Sequence, residues 1–233
     1  MQNDANRVRL FSGMAVQTAF DDGIVAALRE RGIDATIGWD PTTVIEARLK
    51  SGETADAIIV TDSAMKNMID AGWVAAQHCR PLVDSCLGVA VKRGARRPDI
   101  SSVEKFFDAL LDSRSVAYSL SGASGVYFQQ LLRERGYLDE INRRATLVDK
   151  GLVAERLVSG EAELAIQQIS ELGAVDGIDI VGPLPAEVQQ TVSLSVGICR
   201  ASVNRPVVHD LVELLTSDYA KAVYERKGLT VRW

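Results

Sequence analysis

Three short loops rich in Ser, Thr and Gly join apolar, strand-like runs to amphipathic helices. They contain Ser12, Gly13 and Met14; Thr42 and Thr43; and Ser121, Ala123 and Ser124. The first backbone N–H groups of a helix have no partner inside the helix and lie at the positive end of its dipole, so such loops can bind an anion. Ser, Thr and Gly are also common helix caps, which is the alternative role. We predict that these residues contact a ligand.

Two of the loops belong to a pattern that occurs twice in the chain. The stretches LFSGMAVQTAFDDGIVAALRERG, residues 10–32, and SLSGASGVYFQQLLRERG, residues 119–136, each run from a strand through a Ser-Gly loop into a helix that ends at Arg-Gly. The N-terminal part of the chain has the predicted order β-α-β-α-β, and its helix over residues 14–31 has apolar residues at helical spacing. This alternation predicts an α/β fold with a mainly parallel sheet flanked by helices in each half.

The strand and helix pattern restarts in the middle of the chain, which predicts two lobes. Lobe I comprises residues 1–86 and 198–233, and lobe II comprises residues 87–197. The 233 residues are enough for two separate cores. Two long strands, near residues 86–92 and 192–199, connect the lobes and are predicted to act as hinges, with the ligand cleft between the lobes.

Charge and hydropathy exclude several classes of function. The net charge is -5, and the basic clusters are short and lack interleaved aromatic residues, so we expect no nucleic acid to bind. No apolar run reaches the roughly 18 residues that span a bilayer. The first residues lack a signal-peptide pattern, so the predicted location is periplasmic if a signal peptide was removed and cytoplasmic otherwise. We expect a monomer.

The cysteines and histidines do not form a recognisable catalytic or metal-binding set. Cys79, Cys86 and Cys199 have no metal-like spacing and are predicted to be free, buried thiols. His78 and His209 lie outside the predicted cleft loops, so neither a Ser-His-Asp arrangement nor a His-rich metal site is expected. We predict no metal and no cofactor.

Several motifs together resemble a known family. LFSGMAVQTAF, RLKSGETADAIIVTDSAMKNMIDAGWV, SLSGASGVYFQQLLRERG, GEAELAIQQ and YERKGLTV follow the order found in type 2 periplasmic solute-binding proteins. The chain particularly resembles the molybdate-binding branch, which also includes aconitate isomerases. The resemblance implies a two-lobed clamp for a small anionic ligand and an ABC transporter permease as partner.

Departures from the molybdate pattern bear on the ligand. Ala15 occupies a position where the family places a Ser, and Gln167 and Gln168 stand where it places a Tyr. Lys150 lies where the family mainly uses a backbone donor, and it would pair with a carboxylate unless it is an exposed loop lysine. If Gln167 and Gln168 belong to a strand, one of them faces the cleft. These changes favour an organic di- or tricarboxylate over an oxyanion such as molybdate.

Three hypotheses about function remain open. The first is a receptor that delivers an anionic solute to a transporter, which the resemblance favours because most members of the family bind without catalysis. The second is an isomerase that interconverts cis- and trans-aconitate, with Lys150, Asp40 or Asp149 as the proton-carrying group. The third is a ligand-sensing module like the effector domains of transcription regulators, although no DNA-binding segment supports it.

Overall fold

A computed structural model describes residues 4–120, 122–149 and 151–233. The chain divides into two compact units, Met1–Ser85 with Val192–Trp233, and Cys86–Thr191. The second border was predicted between residues 197 and 198, whereas the division falls at the beginning of the strand Thr191–Cys199. The reason is that this strand pairs along Leu194–Ile198 with the strand Ala57–Thr61 of the first unit.

The structure has the following regular elements. The strands are β1 (Arg7–Ser12), β2 (Asp34–Trp39), β3 (Ala57–Thr61), β4 (Val74–Lys92), β5 (Val116–Ser119), β6 (Thr146–Val148), β7 (Leu164–Gln168), β8 (Ile178–Pro183), β9 (Thr191–Cys199) and β10 (Leu229–Val231). The α-helices are α1 (Gln17–Ala19), α2 (Val25–Glu30), α3 (Thr42–Lys50), α4 (Asp62–Asp70), α5 (Val103–Asp112), α6 (Ala123–Glu134), α7 (Leu138–Asn142), α8 (Glu155–Ser159), α9 (Ile169–Leu172), α10 (Pro206–Leu215) and α11 (Asp218–Arg226). In these described ranges no helix is long and apolar enough to span a membrane.

The first unit is built around β1, which pairs in parallel with β2 and β3. On the far side of β3, β9 runs antiparallel and is followed in the strand order by β4. Short β10 pairs antiparallel with Val83–Ser85 of β4. Fully buried apolar side chains from the strands and helices, such as Leu10, Phe20 and Ile59, form the core between the sheet and the helices that cover it.

The second unit repeats this arrangement around β5. Strand β5 pairs in parallel with β6 and β7, and the distal part of β4 pairs antiparallel with β7 and with β8. Its main core includes Tyr118, Phe128 and Ile166, all fully buried. The predicted α/β class, with a mixed sheet flanked by helices, is therefore confirmed, although antiparallel pairings are as frequent as parallel ones. The duplicated strand–loop–helix pattern has a structural counterpart.

The first helical segment differs from the single helix predicted over residues 14–31. It consists of a 3-10 turn (Met14–Val16), α1, a π-helical turn (Phe20–Ile24) and α2. Gly23 lies inside the π-helical turn, and a Cβ atom there would come within 2.7 Å of the Tyr219 hydroxyl. Glycine favours helices poorly, so it is suited to a position where the helix changes its winding against a close neighbour.

Strand β4 is longer than predicted. The sequence pattern indicated a long strand near residues 86–92, whereas the strand in the structure begins at Val74. Pro81 has no backbone N–H to donate, which argues against a strand at this point. Several exposed residues precede it, so buried and exposed positions do not alternate regularly here. A periodic pattern was therefore absent from the first half of a continuous strand.

Candidate functional site

The first unit gathers its predicted ligand residues at the edge where parallel strands β1, β2 and β3 end. The N–H of Asp40 donates to the carbonyl of Ser12 over 3.1 Å, and the N–H of Gly13 donates to the carbonyl of Ile59 over 2.8 Å. These bonds hold the ends of the three strands together. The residues predicted for this unit follow β1 and β2 at this edge: Ser12, Gly13, Met14, Thr42 and Thr43.

The helices that begin at this edge after β1 and β2 lack side-chain caps. Gly13 precedes the 3-10 turn and Pro41 precedes α3, and neither residue's side chain accepts a hydrogen bond from its helix. By contrast, Thr61 caps α4 and Ser102 caps α5 through their side chains. Uncapped helix starts leave N–H donors for another partner.

The hydroxyl groups of the first unit differ in their availability. Ser12 is fully buried, and its Oγ donates to the carbonyl of Gly13 over 3.0 Å. The Ser12 hydroxyl therefore donates its proton within its own loop and not to a ligand. Thr42 is half-buried and Thr43 is exposed, so both lie at an accessible helix start.

Asp40, a predicted proton carrier, forms an ion pair. One carboxylate oxygen lies 2.5 Å from Nη1 of Arg48, whose guanidinium also forms two hydrogen bonds with Glu53. The same guanidinium stacks over the ring of Phe11 at 3.9 Å. Asp40 therefore helps to hold Arg48 in place together with Glu53 and Phe11. This ion-pair network is a structural role that accounts for the position of Asp40.

A third loop at this edge was not predicted. Asp62 opens α4 directly after β3, and its carboxylate accepts hydrogen bonds from Ser195 Oγ at 2.6 Å and Arg232 Nη1 at 3.0 Å. Burial raises the pKa of Asp62, but the bonds from Arg232 and Ser195 outweigh this and hold it below its ordinary value. The available signal was the Thr-Asp pair after a buried strand, which repeats the strand-to-helix setting of the other loops.

The second unit places its own loops at the edge where β5, β6 and β7 end. Gly122 precedes α6 without offering a side-chain cap, and its N–H donates to Ser119 Oγ over 3.0 Å. Of the predicted residues, Ala123 is exposed and Ser124 is buried. Ser121 lies outside the described residues. The start of α6 thus repeats the uncapped condition of α3.

Gly125 sets how closely α6 approaches this edge. A Cβ atom at residue 125 would lie 1.7 Å from the carbonyl oxygen of Ser119, the last residue of β5. Only a glycine permits this contact, which seats the first turn of α6 directly on the end of the strand. The positions of Ala123 and Ser124 follow from this close approach.

The two glutamines at the end of β7 are both buried, and that one of them faces a ligand stays a prediction. The Oε1 atom of Gln167 accepts a hydrogen bond from the N–H of Val153 over 2.9 Å. The Oε1 atom of Gln168 has no hydrogen-bond partner among the described residues. Gln167 is therefore used inside the unit, while Gln168 keeps an unsatisfied acceptor.

The loop after β6 contains the remaining predicted residues. Asp149 is exposed and lies directly after the strand, at the same edge as the loops that follow β5 and β7. Lys150 lies outside the described residues, so its predicted pairing with a carboxylate stays a prediction. Asp149 likewise remains a predicted proton carrier.

Glu171 is a chemically distinctive residue at this edge that the sequence did not single out. It lies in α9, which begins directly after β7. Burial raises its pKa to about 7, and a hydrogen bond from Gln167 offsets part of that rise.

The histidines and cysteines lie elsewhere. His78 and His209 are in edge-to-face contact, with ring centroids 5.0 Å apart, and Nε2 of His209 lies 2.8 Å from the carbonyl of Val203. The cysteines are free thiols, with Cys199 buried and the other two partly exposed. In the described part of the chain, no cluster of three or more His, Cys, Asp or Glu side chains is arranged to hold a metal ion.

Comparisons with known proteins identify relatives. The aconitate isomerase of a Pseudomonas species is 36% identical over 191 residues, which cover 82% of this chain and 72% of the relative. The molybdate-binding protein ModA of Escherichia coli K12 is 20% identical over 234 residues, covering 98% of this chain and 91% of ModA. Among solved structures, the periplasmic molybdate-binding protein of Azotobacter vinelandii has a TM-score of 0.78 at 14% identity, covering 97% of this chain and 100% of that protein.

A family model extends the match to almost the whole chain. The model described as "Bacterial extracellular solute-binding protein" matches residues 8–230. It therefore includes the helix starts at Gly13, Pro41 and Gly122 and the end of β7. This chain belongs to the bacterial extracellular solute-binding protein family and is similar to its molybdate-binding members.

Proposed function

We propose that this chain binds a small organic polycarboxylate and isomerises it in the manner of an aconitate isomerase. The observation that carries the binding part is the set of uncapped helix starts after Gly13, Pro41 and Gly122. N–H donors at the positive end of a helix dipole suit a carboxylate, and glycine lets the ligand approach the backbone.

A carboxylate fits the donors better than a bare oxyanion does. Ala15 and the two glutamines replace hydroxyl donors that the resemblance to molybdate-binding proteins leads one to expect. An amide reaches farther than a hydroxyl, and its NH2 group can donate to a carboxylate oxygen. The unsatisfied Oε1 atom of Gln168 suits a hydroxyl or a protonated carboxyl group.

The isomerase activity is inferred from the 36% identity with the Pseudomonas aconitate isomerase. Interconversion of cis- and trans-aconitate needs a proton to leave the methylene carbon and a proton to be added at the vinyl carbon, while the double bond shifts between them. Such a reaction requires a clamp for the carboxylates and a group that takes and returns a proton. No oxidant, reductant or cofactor enters this balance.

Isomerisation can be tested directly with trans-aconitate in D2O. We expect proton NMR to show the cis isomer accumulating, with deuterium at its methylene carbon wherever the transferred proton exchanges with solvent. A sample without protein is the control for spontaneous conversion. Aconitate that neither converts nor shows line broadening would contradict both the isomerase and the polycarboxylate ligand.

A receptor for the same class of anion is the second candidate. The match to the solute-binding family over residues 8–230 favours it, and in this case the chain delivers its ligand to an ABC-type transporter. The same NMR experiment separates the candidates. Line broadening of aconitate without any conversion supports the receptor and contradicts the isomerase.

Replacement of Gly13 by alanine tests the proposed contact of a ligand with the backbone. Gly13 has φ -60°, which alanine adopts freely, and an added Cβ would meet Ile59 O at 3.6 Å and a Leu194 methyl at 3.7 Å, both ordinary contacts. We therefore expect an unchanged melting temperature and at least about tenfold weaker aconitate binding by calorimetry, equivalent to about 1.4 kcal/mol. Wild-type affinity in this variant would show that no ligand approaches the Gly13 backbone.

A further inference from the structure

Glu171 is set apart from the other acidic side chains by its protonation. Where the described Asp and Glu residues have a resolved shift, the others have a lowered pKa, as with Asp62 and Glu163. The pKa of Glu171 rises to about 7 because burial penalises its charged form. A carboxyl group that is half ionised near neutral pH can both accept and release a proton under physiological conditions.

The surroundings of Glu171 connect it to the loops of the second unit. Gln167 Oε1 accepts a hydrogen bond from the N–H of Val153, which lies just after the loop that follows β6. The amide group of Gln167 also donates a hydrogen bond to Glu171. Gln168, with its unsatisfied Oε1, lies between Gln167 and α9. Because β5, β6 and β7 are parallel, the loops that follow them share this edge with Glu171.

Charged groups near Glu171 contribute little to its behaviour. Helix α9 packs against β7 and β8. Strand β7 has no ionisable side chain, and the acidic residue of β8, Asp179, accepts from the N–H of Gly94 and pairs with Arg97. Burial and the Gln167 hydrogen bond are the causes of the shift. The Glu171 residue as a whole is partly exposed to solvent, whereas protein surrounds its carboxyl group, which is why burial raises its pKa.

We propose that Glu171 is the group that carries the proton in aconitate isomerisation, with Gln167 as its positioning residue. This inference rests on the proposed function. The methylene C–H bond breaks, its proton passes to the Glu171 carboxylate, and the electron pair enters the allylic system. The proton is then delivered to the former vinyl carbon, the double bond occupies the other C–C bond, and the carboxylate is regenerated.

Glu171→Gln removes the proton-carrying group while it keeps the size of the side chain and an acceptor for Gln167. We expect kcat to fall by about 100-fold or more, because general acid–base catalysis contributes on that scale. Calorimetry should show aconitate binding within about threefold of wild type, equivalent to about 0.7 kcal/mol. Glu187→Gln, at an exposed position in the same unit, is the matched control and should retain wild-type kcat and affinity.

The pH profile distinguishes a proton carrier from a merely structural residue. For the wild-type protein, kcat/KM should rise with pH and level off above about 7, as the carboxylate of Glu171 forms. Glu171→Asp, which keeps a carboxyl group on a shorter stem, should retain measurable activity with a displaced pH midpoint. This second variant decides the matter if Glu171→Gln does not fold.

The outcomes separate this inference from the function on which it rests. If the wild-type protein isomerises aconitate and Glu171→Gln does so at the same rate, Glu171 is not the proton carrier. If Glu171→Gln does not fold, a Glu171→Asp variant with wild-type rate and pH profile overturns the inference in the same way. If the wild-type protein binds aconitate without converting it, the isomerase function itself is wrong.

Discussion

Replacement of Gly125 by alanine is expected to destabilise the protein by about 3 kcal/mol or more, the upper range for overpacking a close contact. The new Cβ would lie 1.7 Å from the carbonyl oxygen of Ser119, and backbone atoms cannot yield as a flexible side chain does. Helix α6 would have to move away from the end of β5, carrying Ala123 and Ser124 with it. Urea unfolding, followed by circular dichroism, measures the loss.

Gly173→Ala is the matched control for this prediction. Gly173 has φ -65°, and an added Cβ would meet the carbonyl oxygen of Ile169 at 3.4 Å, which is an ordinary contact. Its free energy of unfolding should lie within about 1 kcal/mol of wild type, because an alanine fits this helical backbone. Equal stability of the two variants would show that α6 does not approach β5 as closely as described.

The arrangement of strands and helices could be predicted because local signals agreed with one another. Each parallel strand was an apolar run, and turn or cap residues separated it from a helix at helical spacing, as at Thr61 between β3 and α4. The repeated Ser-Gly loops marked the carboxyl ends of β1 and β5. The fold class and the positions of the helix starts follow from such short-range information.

The roles of individual side chains depended on contacts that local patterns do not encode. Gln167 binds the N–H of Val153, which lies 14 residues earlier, and Asp62 binds Arg232, 170 residues later. Nothing in the neighbouring sequence indicates either partner. The internal hydrogen bonding of Gln167 and the raised pKa of Glu171 were both missed for this reason, since they arise from tertiary burial and pairing.

Asp40 illustrates the same point at shorter range. Its position before a helix suggested a carboxylate that faces a ligand, whereas Arg48 on the second turn of α3 pairs with it. Arg48 in turn lies between Asp40, Glu53 and the ring of Phe11. The sequence separation of eight residues is not a helical neighbour spacing, because Asp40 lies outside the helix.

Glu171→Gln is also expected to change how stability depends on pH. An ordinary Glu titrates near 4.5, whereas folded Glu171 titrates near 7. Below pH 4.5 the group is protonated in both states and has no effect. Between pH 4.5 and pH 7 the unfolded chain releases a proton that the folded protein retains, so the free energy of unfolding falls as pH rises. Above pH 7 the folded protein bears the full free-energy cost of the ionised, buried Glu171 carboxylate. Allowing for partial exposure, that cost is about 2 kcal/mol.

Urea unfolding of the wild-type protein and the variant at pH 5 and pH 8 measures this effect. The glutamine carries no charge, so its stability relative to wild type should be greater at pH 8 than at pH 5 by about 2 kcal/mol. Glu187→Gln, which changes an exposed carboxylate, should show no such dependence. A difference between wild type and Glu171→Gln that is identical at both pH values would contradict the raised pKa of Glu171.

A stabilised but inactive Glu171→Gln protein at pH 8 has a specific meaning. A residue retained for packing alone loses stability when it is replaced, whereas a buried ionisable group retained for chemistry gains it. The expected combination of higher stability and lower kcat therefore separates a proton-carrying role from a structural one. A proton-carrying role also explains why residue 171 is a glutamate, although an uncharged amide of the same size has a lower free-energy cost of burial.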